Sequence, residues 1–289
     1  MTIDIHRVGD FTLGWGESVV WDEQRDRLYF VDCAAQTLHW LDGDDGELHT
    51  LVSPSLPTGI VPADDGRLVV VLDDGLYVID PDTATSELLT PYPDELGGRC
   101  NDACADLDGN LITGRLNLGP DAGSAWWYSA GAGWRLLDPD ISNTNGPAAG
   151  VLDGAMTLVI GDTSADYFSY PYDPATGTVG ERSVFGNVSG LDGSPDGSSL
   201  DVDGGLWCAL VGGAQLVRFT GAGVDRTLPV PAANPTDVTF GGPDLDRMYI
   251  VSIAGAPGGD GFDGALLAVD GLGVRGRPEP RFALADRRA

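Results

Sequence analysis

The chain has no lysine, only three histidines and no long apolar run. All 16 basic residues are arginine, so no Schiff base can form through a lysine amine. His6, His39 and His49 cluster near the N-terminus, outside any recognisable catalytic motif. A Ser-His-Asp or Cys-His machine would need one of them brought in from afar. No apolar stretch reaches the roughly 18 residues that a membrane-spanning helix needs. The opening MTIDIHRVGDF lacks the basic and apolar regions of a signal peptide, so a cytoplasmic location is expected.

Cysteine is also scarce. Cys33, Cys100, Cys104 and Cys208 make up the whole set. On a regular strand Cys100 and Cys104 would share a face but lie about 13 Å apart, too far for a disulfide. All four read as reduced core thiols, and their spacing offers no metal site. Positive charge is in short supply too: 44 acidic residues against 16 basic ones give a net charge of −28. Such a surface repels nucleic acid and anionic membranes, so neither is an expected partner. A GC-rich genome and a salty habitat each produce this bias, and the sequence does not separate them.

What remains is ample material for a folded core: 289 residues, 42% of them hydrophobic. Short β-type runs such as RLYFVD, RLVVVL, TLVIGD, GLWCAL and RMYIVS recur between Asp- and Gly-rich turns. No long window repeats apolar residues at helical spacing, so an all-β chain is expected.

Six segments share one grammar of short strand, Asp/Gly turn and strong strand. Aligned on the turn, they place Glu17, Gly59, Asn101, Asn145, Asp196 and Pro235 in one column, separated by 42, 42, 44, 51 and 39 residues. Propeller blades have about this length, typically four strands each. The expectation is a single domain over residues 1–289, a six-bladed β-propeller of four-stranded antiparallel blades around a central channel.

The column also bears on the two Asp-Gly pairs in SPDGSSLDVDGGLWCAL. Asp203-Gly204 lies between two strand-like runs and reads as a hairpin turn. Asp196-Gly197 falls in the column instead. Inner strands line the channel, so column residues converge at one mouth, and four of the six carry oxygen donors: Glu17, Asn101, Asn145 and Asp196.

At these residues the chain resembles the senescence marker protein/gluconolactonase/luciferin-regenerating enzyme family, which includes regucalcins and sugar lactonases. The matching pieces are GESVVWD, RCNDACADLDGNL, ISNTNGP, SPDGSSLDVDGGLWCAL and PTDVTFGGPDLDRMYIVS, spread over residues 13–270. The resemblance implies one divalent cation held by Glu17, Asn145 and Asp196, and substrate contacts from Arg99 and Asn101. Two departures stand out. The family's GESP or GEGP is GESV here, with Val19 in place of proline. The family's GTM is Gly114-Arg115-Leu116, and the acidic residue that often follows it is missing. Arg115 and Asn117 are then the candidate substrate contacts on that side of the rim.

Glu17, Asn145 and Asp196 offer only oxygen, which suits hard cations. Ca²⁺ is the first candidate, with Mn²⁺, Mg²⁺, Zn²⁺ and Fe²⁺ as others. Such an ion polarises an ester carbonyl, and Asp196 is the candidate base for the attacking water. The implied activity is a metal-dependent lactonase acting on a small, sugar-type lactone. Two alternatives stay open at this stage: the same centre acting on another electrophile such as a phosphotriester or in a biosynthetic tailoring step, and a metal-binding propeller without turnover. The loop from Arg115 to Trp127 is read as a specificity rim, with Trp126 and Trp127 in the sheet core. LDGDDGEL, only faintly like a calcium loop, is read as an inter-strand turn.

Overall fold

The computed structural model describes residues 2–43, 46–116, 123–255 and 261–285. Asn117 of the rim and the Asp44-Asp45 pair of LDGDDGEL lie outside this set. The described residues form a six-bladed β-propeller of antiparallel blades. Its inner strands are Gly16–Asp22, Gly59–Pro62, Cys100–Ala105, Thr144–Leu152, Ser194–Leu200 and Pro235–Gly241. In the first five blades each inner strand pairs outward with the next strands in sequence, as a meander. In the fourth blade two short strands, Thr178–Val179 and Ser183–Gly186, share the outermost position beside Tyr167–Asp173.

Ring closure comes from the N-terminus. Asp4–Val8 pairs with Leu266–Asp270 and becomes the outer strand of the sixth blade. The repeat grammar gave no hint of this strand, because it precedes the first repeat.

The apolar residues do not build one central core. They form clusters at the six seams, each shared by neighbouring blades. A blade is therefore buried on both faces. This is why the strand Leu68–Val71 is the unbroken run LVVV, buried throughout, rather than an alternation. Trp126 and Trp127 follow the same logic. Trp126 packs toward the second blade and Trp127 toward the fourth.

Cys100 and Cys104 depart from the expectation of a shared face. A bulge between Asn101 and Ala103 adds one residue and inverts the alternation. Cys100 then faces the second blade and Cys104 the fourth. All four cysteines are free. No helix among the described residues is long and apolar enough to cross a membrane.

The far end of the channel is crossed by a C-terminal strap. Gly276 bridges to Asp201 and Phe282 to Ala63, on opposite sides of the ring. Arg277 donates to the carbonyls of Asp201 and Val151 at 2.7 and 3.1 Å.

Candidate metal centre and active site

Five of the six inner strands lose register at the same level, near the mouth where they begin. The breaks fall between Glu17 and Val20, Asn101 and Ala103, Asn145 and Ala148, Pro195 and Ser198, and Pro235 and Asp237. Glu17, Asn101 and Asn145 are each the last paired residue before the break. In the fifth blade Pro195 holds that place, so Asp196 sits one residue further on, inside the bulge, rather than in register with the others. Bulges re-aim side chains. The residues after Glu17 and Asn145, Ser18 and Gly146, are both left-handed with φ of 48° and 49°. At Ser18 this is uncommon for a residue with a side chain, and its hydroxyl is tied down by the Ile60 N–H of the next blade at 2.7 Å.

Each candidate ligand is approached through a fixed segment. Asp32, at the end of the first blade's second strand, accepts the N–H groups of Gly14 and Trp15 at 2.7 and 3.1 Å. The indole of Trp15 then donates to Glu17 Oε1 at 2.8 Å. In the fourth blade Asp162 likewise accepts the Ser142 N–H at 2.8 Å. Asn145 Nδ2 donates to Thr163 at 2.6 Å, while its Oδ1 accepts from Asn101 Nδ2 at 2.5 Å. That oxygen keeps a second lone pair for the channel. The backbone of Asp196 is held by Tyr167: the Asp196 N–H donates to the Tyr167 hydroxyl, which donates back to the Asp196 carbonyl. Its carboxylate accepts the Gly197 N–H.

The electrostatics call for a cation. Asn145 and Asp196 are each 5% exposed. Burial pushes Glu17 up to about 8; the Trp15 hydrogen bond opposes this, Asp102 adds to it and Arg99 counters it. Burial, then the charges of Glu17, Asp102 and Asp237, lift Asp196 well above the usual carboxylate range. The half-buried Glu17 carboxyl, the buried Asp196 carboxyl and the Asn145 amide oxygen form an all-oxygen donor set in which the two carboxyls repel. A divalent cation fits that set, and Glu17, Asn145 and Asp196 are the residues that would hold it.

Arg99 shares this mouth, since its charge acts on Glu17. Its Nη1 is buried without a hydrogen-bond partner. Arg115 is paired directly with Cys100 and so shares its face, toward the second blade. It packs on Gly98, and its Nε is likewise buried and unpartnered. The structure thus gathers Glu17, Arg99, Asn101, Asn145 and Asp196, and puts Arg115 on the flank beside Arg99. The three histidines sit on the strands Asp4–Val8, Thr37–Asp42 and Leu48–Val52, in the outer half of their blades.

Two carboxylates in this region escaped sequence reasoning, Asp102 and Asp237. Asp102 was in plain view inside RCND, whereas nothing local marks Asp237. Below them lies a cavity of about 440 Å³ whose walls include Ser18, Asp102, Ser198, Asp237 and, from the strap, Glu279. Glu17, Asn145 and Asp196 do not line it. This cavity is therefore the lower channel, on the far side of the bulge level from the candidate ligands.

Comparison with known proteins agrees with the propeller fold. Residues 15–254 match the SMP-30/gluconolactonase/LRE-like region. A pentonolactonase of Haloferax volcanii is 29% identical over 96% of this chain and 97% of its own length. A 6-deoxy-6-sulfogluconolactonase of Pseudomonas putida is 30% identical over 82% of each chain. Among solved structures, regucalcin of Agrobacterium tumefaciens, described as a calcium-binding protein, superposes with a TM-score of 0.86 at 26% identity, covering 96% of both chains.

Proposed function

The chain belongs to the SMP-30/gluconolactonase/LRE-like family, and from that premise we propose that it is a divalent-metal-dependent lactonase that opens a small sugar lactone. The observation that carries this reading is the all-oxygen set of half-buried Glu17 with buried Asn145 and Asp196, sharing its mouth with the unpartnered Nη1 of Arg99. Calcium is the first candidate ion, in keeping with the oxygen ligands and with the calcium-binding relative. The four free thiols suit a reducing compartment such as the cytoplasm.

Held by Glu17, Asn145 and Asp196, a divalent cation would supply Lewis-acid chemistry to the lactone carbonyl. Asp196 takes a proton from the attacking water. The water oxygen bonds to the carbonyl carbon, the ring C–O bond breaks, and the proton passes to the departing alkoxide. The product is the open hydroxy acid. Arg99 donates from Nη1 to a substrate oxygen, and Asn101 holds the Asn145 amide in place. A lactone is an activated ester, so neither a serine nor a histidine nucleophile is required.

The test is metal analysis of the purified protein, combined with a pH-indicator assay over a panel of lactones with Ca²⁺, Mn²⁺, Zn²⁺ or Fe²⁺ added. Turnover of a lactone that chelator abolishes and a divalent ion restores is expected. Full activity after exhaustive chelation would remove the metal from the mechanism.

A further inference from the structure

Asp102 and Asp237 each receive two backbone N–H groups, one from the next residue and one from the neighbouring blade. Asp102 accepts from Ala103 at 2.7 Å and from Gly146 at 2.7 Å. Asp237 accepts from Val238 at 2.8 Å and from Val19 at 2.8 Å. The cross-blade donors are not arbitrary. Gly146 follows Asn145 directly, and Val19 lies two residues after Glu17. Asp237 Oδ1 also occupies the space that a Cβ at position 197 would need, 1.9 Å away, beside Asp196.

The bulges explain why these contacts exist. A register break leaves N–H groups without ladder partners, and a buried N–H must be satisfied by something. Here the acceptor is a carboxylate on the adjoining blade, so the same bond that satisfies the bulge also fixes the ligand segment to its neighbour. Val19 makes the case specific to this chain. Where the family pattern has proline, no N–H exists to give.

We propose that Asp102 and Asp237 are positioning residues for the metal ligands: Asp102 sets Asn145 through Gly146, and Asp237 sets Glu17 and Asp196 through Val19 and Gly197. The proposal rests on the reading that Glu17, Asn145 and Asp196 hold a divalent cation. Outer partners that orient metal ligands typically contribute 10- to 100-fold in affinity.

The experiment is Mn²⁺ titration of the full chain, followed by electron paramagnetic resonance of the free ion. Wild type is compared with Asp102→Asn, Asp237→Asn, Val19→Pro and Glu17→Gln. An asparagine cannot accept both N–H bonds, because its amide nitrogen has no lone pair to offer. Val19→Pro removes one donor, leaves every charge in place and restores the residue of the family pattern, so it keeps the test alive should Asp237→Asn fail to fold. Asp102→Asn, Asp237→Asn and Val19→Pro are each expected to bind Mn²⁺ about 10- to 100-fold more weakly. Tyr170→Phe removes a buried hydrogen bond to Asp138 away from the mouth; it should lower the unfolding temperature without changing the Mn²⁺ affinity. If wild type binds Mn²⁺ and Val19→Pro binds within twofold of it, Asp237 acts by charge alone and the positioning role is overturned. If wild type itself binds no better than Glu17→Gln, the metal reading falls and takes this proposal with it.

Discussion

Gly197 and Asp237 interlock across the seam between the fifth and sixth blades: a Cβ at 197 would lie 1.9 Å from the Asp237 carboxylate. This is why a glycine follows Asp196. The pair imitates a hairpin turn in sequence, yet it lies within the strand Ser194–Leu200, while the turn is made by the second pair, Asp203-Gly204. Gly146 shows the same constraint, since a Cβ there would lie 2.6 Å from the Asp196 carbonyl oxygen.

Gly197→Ala should therefore be costly. The added methyl has to displace Asp237, which loosens its bond to Val19. Overpacking of this kind destabilises by about 1–3 kcal/mol, to be read from the urea midpoint of the metal-free protein. A variant as stable as wild type would show that Asp237 moves aside freely.

Glu17→Gln, Asn145→Ala and Asp196→Asn are each expected to abolish lactone turnover and weaken divalent-metal binding, with the circular dichroism spectrum unchanged. The three residues come from three blades, each with its own sheet and seam packing, so one substitution does not propagate into the fold. Three variants that all keep full activity in metal-stripped buffer would place the site elsewhere.

The fold was legible because each blade must solve the same problem, and so repeats the same strand-turn-strand grammar about every 40 residues. Glu17, Asn145 and Asp196 were singled out through motifs of the family, and the propeller brings them to one mouth. The bulges were not, because an extra residue inside a strand leaves no sign in composition; this moved Asp196 out of register and put Cys100 and Cys104 on opposite faces. Asp102 and Asp237 escaped for a different reason. Their partners lie 44 and 218 residues away and are backbone groups, which carry no sequence signature. The closing strand Asp4–Val8 was invisible because its blade mates lie at the other end of the chain.

Glu279 gives the lower channel a pH signature. Burial, with Glu23 and Asp102 adding and the Thr239 hydroxyl opposing, pushes its carboxyl up to about 7. Asp237 and Arg277 also line its cavity. A folded-state value above the unfolded one means that the native state binds the extra proton, so this group's contribution falls as pH rises from about 4.5 to 7 and is constant above that. Glu279→Gln should match wild type near pH 4 and exceed it above pH 7 by about 1–3 kcal/mol. Urea unfolding at both pH values checks this; an equal gain at both would detach the effect from titration.

Arg99→Ala should cut kcat/KM by about 1–3 kcal/mol of transition-state binding while leaving metal affinity nearly constant. The buried, unpartnered Nη1 is the reason: a donor held out of water gains most when substrate supplies the acceptor. Unchanged kinetics on the best substrate would show that Arg99 does not contact the substrate.

Arg115 is expected to set which lactone is preferred. The segment that reads GTM in the family here ends in Arg115 and Leu116, and the acidic acceptor for sugar hydroxyls is missing. In its place stands a guanidinium packed on Gly98, one residue from Arg99, with Nε buried and unpartnered. A rim that has gained donors and lost an acceptor favours carboxylate or carbonyl oxygens over hydroxyl groups, because each mismatched polar group is left unpaired. The expected order of kcat/KM is a carboxylated or deoxy lactone above gluconolactone. Arg115→Ala should narrow that gap by roughly tenfold, the equivalent of one charged hydrogen bond. Arg115→Lys should not restore it, since lysine has no planar fork and no donor at the Nε position. A clear preference for gluconolactone that survives Arg115→Ala would show that the guanidinium serves the rim's packing and that specificity is set elsewhere.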